Sequence, residues 1–119
     1  MQKITLIGRL TKDAESRYTP DGKPVLDINL AVDDGYGENK KTLWVRCSLW
    51  GERGEKLAQY LTKGGQIYIE GRLYHDDGNP RIWNTKEGEA RASFEVFVTD
   101  LKLLASPKKQ TAEEEDYAL

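Results

Sequence analysis

Residues 42–50, TLWVRCSLW, constrain the fold more than any other stretch, because the two sides of one short strand are chemically opposite. Successive side chains in a strand point to opposite faces, so Leu43, Val45, Cys47 and Leu49 form an apolar row suited to a core. Trp44, Arg46, Ser48 and Trp50 form the other row. A guanidinium and a hydroxyl between two indoles make a poor interior. They make a good surface for unpaired bases, since every base offers a π-face and every nucleotide a phosphate. Tryptophan is mostly buried on average, so the competing reading is that a neighbouring loop or subunit covers both rings. The rest of the chain decides between the two.

The flanking segments supply sheet partners for this strand. Residues 3–10, KITLIGRL, place Ile4, Leu6 and Leu10 on one face and Thr5 and Ile7 on the other, with Gly8 as a bend. Residues 17–22, RYTPDG, carry turn chemistry in Pro20, Asp21 and Gly22. In residues 25–32, Leu26, Ile28, Leu30 and Val32 alternate with Asp27 and Asn29, a half-buried pattern. A polar loop over 33–41 then presents Tyr36 beside Lys40 and Lys41, an exposed aromatic next to cations that suits a nucleic-acid strand.

After Gly51 the period changes. Leu57, Tyr60 and Leu61 at i, i+3 and i+4 predict an amphipathic helix of about three turns, ended by Gly64 and Gly65. Residues 66–74, QIYIEGRLY, read as a strand with Ile67, Ile69 and Leu73 on one face, Tyr68, Glu70, Arg72 and Tyr74 on the other, and Gly71 as a break. Residues 81–98 read as a hairpin turning at 86–89, with Trp83 next to Arg81. Phe94, Val96 and Val98 are in register for the core, followed by Leu101, Leu103 and Leu104. Five strands with a short helix between the third and fourth, and glycines inside strands, describe an all-β chain folded as the partly open five-stranded Greek-key barrel of the OB-fold.

At 119 residues the chain is expected to form one domain over 1–105, followed by a short linker and an acidic, disordered tail over 106–119. The net charge of −2 argues at first against a phosphate partner. Four of the 20 acidic residues are Glu113, Glu114, Glu115 and Asp116, so residues 1–112 carry 18 basic against 16 acidic groups, a balance of +2. Phosphate binding is permitted rather than demanded, and the weight falls on the aromatics. The single Cys47 sits on the apolar side of its strand and is expected to pack as a small hydrophobe in a reducing compartment. There is no apolar run long enough to cross a membrane and no N-terminal signal. A cytoplasmic, nucleoid-associated protein without a membrane partner is expected.

The ordered set KITLIGRL, RYTPDGKPV, TLWVRCSLWG, YLTKGGQIYIEGRL and RIWNTKEGEARASFEV resembles the bacterial single-stranded DNA-binding proteins over about residues 3–104. The resemblance implies an OB-fold that binds single-stranded DNA without sequence reading and assembles as a homotetramer through its first strands. It implies stacking at Trp44, Trp50 and Trp83, with a loop aromatic at Tyr36, and phosphate contacts at Arg46, Lys63 and Arg81. Departures from the family pattern are Val45, Glu52 and Ile82, an insertion at 75–80, and a short linker before the tip Tyr117, Ala118, Leu119. They point to a divergent or mobile-element member. Residues Glu113, Glu114, Glu115, Asp116, Tyr117, Ala118 and Leu119 are the expected docking tail for replication and repair proteins.

No P-loop, nucleophile–histidine set or metal-ligand cluster is present, and Asp76 and Asp77 fall in a turn-like loop, so neither enzyme activity nor a cofactor nor a metal is expected. The alternative from a different class is an OB-fold adaptor whose aromatic face binds a replication protein instead of DNA.

Overall fold

The computed structural model describes residues 1–75 and 77–106. The expected tail over 113–119 lies outside the described residues, as does Asp76. Among the described residues seven strands run in the order β1 (Ile4–Leu10), β2 (Glu15–Tyr18), β3 (Pro24–Asp34), β4 (Lys41–Trp50), β5 (Gln66–Leu73), β6 (Arg81–Asn84) and β7 (Ala90–Ala105). One α-helix among the described residues, α1 (Glu52–Leu57), lies between β4 and β5.

Five of the strands close a barrel. β1 pairs with β5, β5 with β7, β7 with β4 and β4 with β3, and Arg9 and Leu10 of β1 return to Ala31 and Leu30 of β3. Every barrel pairing is antiparallel except β4 with β7, the Greek-key crossover of the OB-fold. The barrel is therefore closed, where sequence reasoning expects it partly open; two residues at the end of β1 complete it. β2 and β6 are short extra strands outside the ring, paired to β3 and β7.

The inward rows of these strands make the core: Leu26, Ile28 and Leu30 of β3, Val45, Cys47 and Leu49 of β4, Ile67 and Ile69 of β5, Val96 and Val98 of β7, and Leu61 below them. The two strand glycines serve close approach. A Cβ at Gly8 would lie 2.8 Å from the Ala31 carbonyl oxygen, and one at Gly71 would lie 2.2 Å from that of Phe97. Any side chain at Gly71 would push β5 off β7. A register shift between Glu70 and Gly71 marks the same point, and it turns the end of β5 back across the sheet.

Several local expectations change. Arg17 and Tyr18 belong to β2 rather than to the turn, which spans Thr19 to Lys23 and is closed by Gly22 N–H donating to the Thr19 carbonyl at 2.8 Å. α1 is only six residues, continued by a 3-10 turn over Ala58–Tyr60. Tyr60 stands exposed, because the tighter 3-10 winding rotates it off the face that carries Leu57 and Leu61. Phe94 is 51% exposed despite its parity with Val96 and Val98, since it lies where the β4–β7 pairing begins, at the rim of the barrel. Leu103 and Leu104, past the bulge, are also exposed.

Candidate nucleic-acid interface

β4 delivers the two-sided arrangement its sequence predicts. Val45, Cys47 and Leu49 are buried, whereas Trp44 is 61% and Trp50 40% exposed. Trp44 stands opposite Ala31 of β3, a partner too small to cover an indole. β6 carries the third tryptophan: Trp83 pairs with Arg91 of β7 and is 37% exposed. The guanidinium of Arg81 lies 4.5 Å from the Trp83 ring centroid, a cation–π contact.

Trp44 and Trp83 line one groove of about 400 Å³ with Lys12, Asn29, Arg46 and Arg81. Trp50 lines an adjoining hollow of about 250 Å³ with Arg17, Ser48, Tyr74 and Phe97. Arg46 and Arg81 line both, so the two form one surface running across β4 and β7. Of the expected site residues, the fold thus brings together Trp44, Trp50, Trp83, Arg46 and Arg81.

The cations are held by carboxylates. Asp27, buried on β3, receives the Arg17 Nε hydrogen bond at 2.6 Å and a second from Arg17 Nη2 at 3.4 Å, with Arg46 Nη2 at 3.8 Å. One carboxylate between two guanidinium groups leaves a positive excess and fixes where both point. On β7, Glu95 lies 3.8 Å from Arg81 Nε, and its Oε2 is buried without a hydrogen-bond partner among the described residues. Burial holds the Glu95 carboxyl above the ordinary glutamate range, with Arg46, Arg81 and His75 pulling it back only in part. Glu95 lines the hollow beside Arg46 and Arg81, where its carboxylate tempers their positive charge.

The other expected residues lie apart from this surface. Tyr36, 94% exposed, projects from the loop between β3 and β4, followed by a 3-10 turn over Gly37–Asn39. Lys40 pairs with Asp33 at 3.3 Å, and Lys41 opens β4 opposite Asp34. Lys63 is exposed ahead of β5, where its backbone N–H donates to Asp13 Oδ1 at 2.8 Å, next to Lys12 of the groove. None of these four lines the groove or the hollow.

Sequence reasoning does not assign Arg17, Tyr74 or Phe97 to the site. Parity puts two of them on the outer side without joining them to the site: Tyr74, just past β5, continues its polar row, and Phe97 alternates with the buried Val96 and Val98. Burial pushes the Cys47 thiol far up, which leaves it inert as a nucleophile. Among the described residues no group of three or more His, Cys, Asp or Glu could hold a metal, and no helix is long and apolar enough to cross a membrane.

The model of the Single-strand binding protein family matches residues 1–104. The chain is 35% identical over 112 residues to Single-stranded DNA-binding protein 1 of Chlorobaculum tepidum, covering 89% of this chain and 66% of that protein. It is 34% identical over 116 residues to Single-stranded DNA-binding protein 1 of Xylella fastidiosa, covering 92% and 80%. To the Single-stranded DNA-binding protein of Mycobacterium tuberculosis it is 37% identical over 105 residues, covering 82% and 61%. The chain thus spans slightly under two thirds of the Chlorobaculum and Mycobacterium relatives. A closed OB-fold barrel with indoles and arginines gathered on one outer face, and a family match over nearly all of that barrel, lead to one conclusion: the chain belongs to the single-strand binding protein family.

Proposed function

We propose that the protein binds single-stranded DNA without reading its sequence, stacking bases on Trp44, Trp83 and Trp50 and meeting phosphates with Arg46 and Arg81. All three tryptophans of the chain stand exposed on the outer side of the barrel, two of them opposite the buried Val45, Cys47 and Leu49, and cations lie between them. Stacking tolerates any base, and a groove of modest positive charge follows a backbone. Tyr36, Lys40, Lys41 and Lys63 extend the path as outlying contacts. Residues 1–105 are the DNA-binding domain and 106–119 a linker and tail. The role is protection of exposed single strands during replication, recombination and repair, in the cytoplasm at the nucleoid.

The functional unit in this reading is a homotetramer joined partly through β1. On its far side β1 pairs with β3 only at Arg9 and Leu10, so the stretch from Ile4 to Gly8 offers an open edge, with Ile7 half exposed beside it. The tail, Glu113 to Leu119 in sequence, competes with DNA for the groove and docks replication and repair proteins through its carboxylates with Tyr117, Ala118 and Leu119.

Equilibrium binding of labelled oligonucleotides tests the central reading. Oligo-dT and mixed-sequence single strands should bind alike and far more tightly than duplex, with affinity falling as salt rises. Equal binding to duplex, or none to either, contradicts it. A light-scattering mass of a monomer at micromolar concentration contradicts the oligomer.

A further inference from the structure

The outer face carries a second aromatic cluster, assembled from β4, β7 and the end of β5. Phe97 of β7 lies in register with Ser48 of β4 on one side and with Arg72 of β5 on the other. Trp50, two residues beyond Ser48, shares its face, and its ring lies 19° from parallel with Phe97 at a centroid distance of 6.5 Å. Tyr74, two residues beyond Arg72, meets Phe97 edge-on at 5.9 Å. The Arg72 guanidinium lies 5.2 Å from the Tyr74 centroid and 5.1 Å from that of Phe97.

Arg72 differs from every other arginine among the described residues. Arg9, Arg17, Arg46, Arg53, Arg81 and Arg91 each have a carboxylate within ion-pair distance. Arg72 has none; its charge rests on ring faces instead. A ring face occupied by a guanidinium is where an unpaired base stacks. Stacking of a base on an aromatic is stronger than an exposed cation–π contact. A base therefore displaces Arg72 from the rings and leaves it to meet the adjoining phosphate, with no carboxylate competing for it. The approach of β5 to β7 that builds this cluster depends on Gly71, which admits no side chain against the Phe97 carbonyl.

We infer that Tyr74, Phe97 and Arg72, together with Trp50, form a second nucleotide subsite, so that the DNA path runs from Trp44 and Trp83 past Arg46 and Arg81 onto β5. The inference rests on the single-stranded DNA reading above and adds the direction of the path and three residues to it.

The test is equilibrium binding of the full chain to oligo-dT of increasing length, about 4 to 16 nucleotides, the range one OB-fold occupies. The wild type is compared with the Phe97→Leu/Tyr74→Leu double variant and with Arg72→Gln. Short oligonucleotides that fill only the first subsite should bind the wild type and the double variant alike. The affinity gained with length should drop about 5- to 150-fold in the double variant, the loss of one or more stacked bases. Arg72→Gln should flatten the slope of log K against log salt by about 0.7, for the longer oligonucleotides only. Long oligonucleotides binding the folded double variant as tightly as the wild type overturn the subsite. Should the double variant not fold, the exposed Arg72→Gln decides alone, and an unchanged slope at every length overturns it. A wild type that binds no oligonucleotide overturns the DNA reading itself, whereas a length-independent variant effect overturns only the extended path.

Discussion

The two sides of β4 are built from alternate residues of one strand, yet they answer to different demands. Val45, Cys47 and Leu49 are sealed among β3, β7 and the residues below the barrel, where each is held by close packing. Trp44, Arg46 and Trp50 face outward, where Arg46 is tied to Asp27, Trp44 is largely uncovered and Trp50 is partly covered by Phe97. The inner row decides whether the barrel exists. The outer row decides what the barrel touches, and a substitution on one side should leave the property of the other side nearly intact.

The largest effect should come from the inner row. Leu49→Ala removes a buried side chain from a packed core and should cost about 2–5 kcal/mol of stability, measured by denaturant unfolding, while the remaining folded protein binds oligo-dT at wild-type affinity. Trp44→Ala should do the reverse. It should weaken single-strand binding by about 1–3 kcal/mol and move the unfolding free energy by no more than about 0.5 kcal/mol, as for an exposed side chain. A Trp44→Ala protein that unfolds early but binds normally when folded would erase the distinction between the two rows.

Arg46→Ala sharpens the comparison on the charged part of the outer row. The slope of log K against log salt should flatten by about 0.7, the loss of one phosphate contact on a single strand. An unchanged slope would mean that Arg46 serves only to balance Asp27.

The smallest effect should be that of pH. Burial raises the folded-state Glu95 carboxyl above its value in the unfolded chain, so its contribution to stability is fully present below the unfolded value. That contribution is lost as pH rises through the raised folded value. Acidification through this window should slightly stabilise the barrel. The same protonation removes a negative charge beside Arg81 and Arg46 and should tighten DNA binding. Glu95→Gln should bind more tightly at neutral pH and lose the pH dependence in that window; identical pH profiles for the two proteins would remove Glu95 from the groove's electrostatics.

Much of the barrel was legible because alternation in TLWVRCSLW and QIYIEGRLY reports one buried face per strand, whereas β3, whose alternation predicts a half-buried strand, is buried on both faces from Val25 to Val32 except at Asn29. The hairpin before β7 was equally clear, and its turn closes between Thr85 and Glu89 as the glycine there suggests. β2 was not legible: Glu15, Ser16, Arg17 and Tyr18 are all exposed on an edge, so no periodicity marks them as a strand. Asp27 follows from the same omission. Alternation points it to solvent, but Arg17 reaches it from β2 and Arg46 from β4, and it ends up buried beneath both. The three tryptophans could be read as a site because each sits beside a cation or a polar row in its own segment. Phe97 and Tyr74 could not, because the meeting of Phe97 with Trp50 depends on the parallel pairing of β4 with β7, and that of Tyr74 with Phe97 on the bulge at Gly71, which no local pattern encodes.

The three tryptophans of the chain all lie on the proposed DNA-binding surface, so tryptophan emission, excited where tyrosine does not absorb, reports on that surface. Titration with oligo-dT should quench the emission to a saturable plateau, and added salt should restore it as the strand is released. Emission that stays unchanged through the titration would contradict base stacking on this face and leave the adaptor reading in its place.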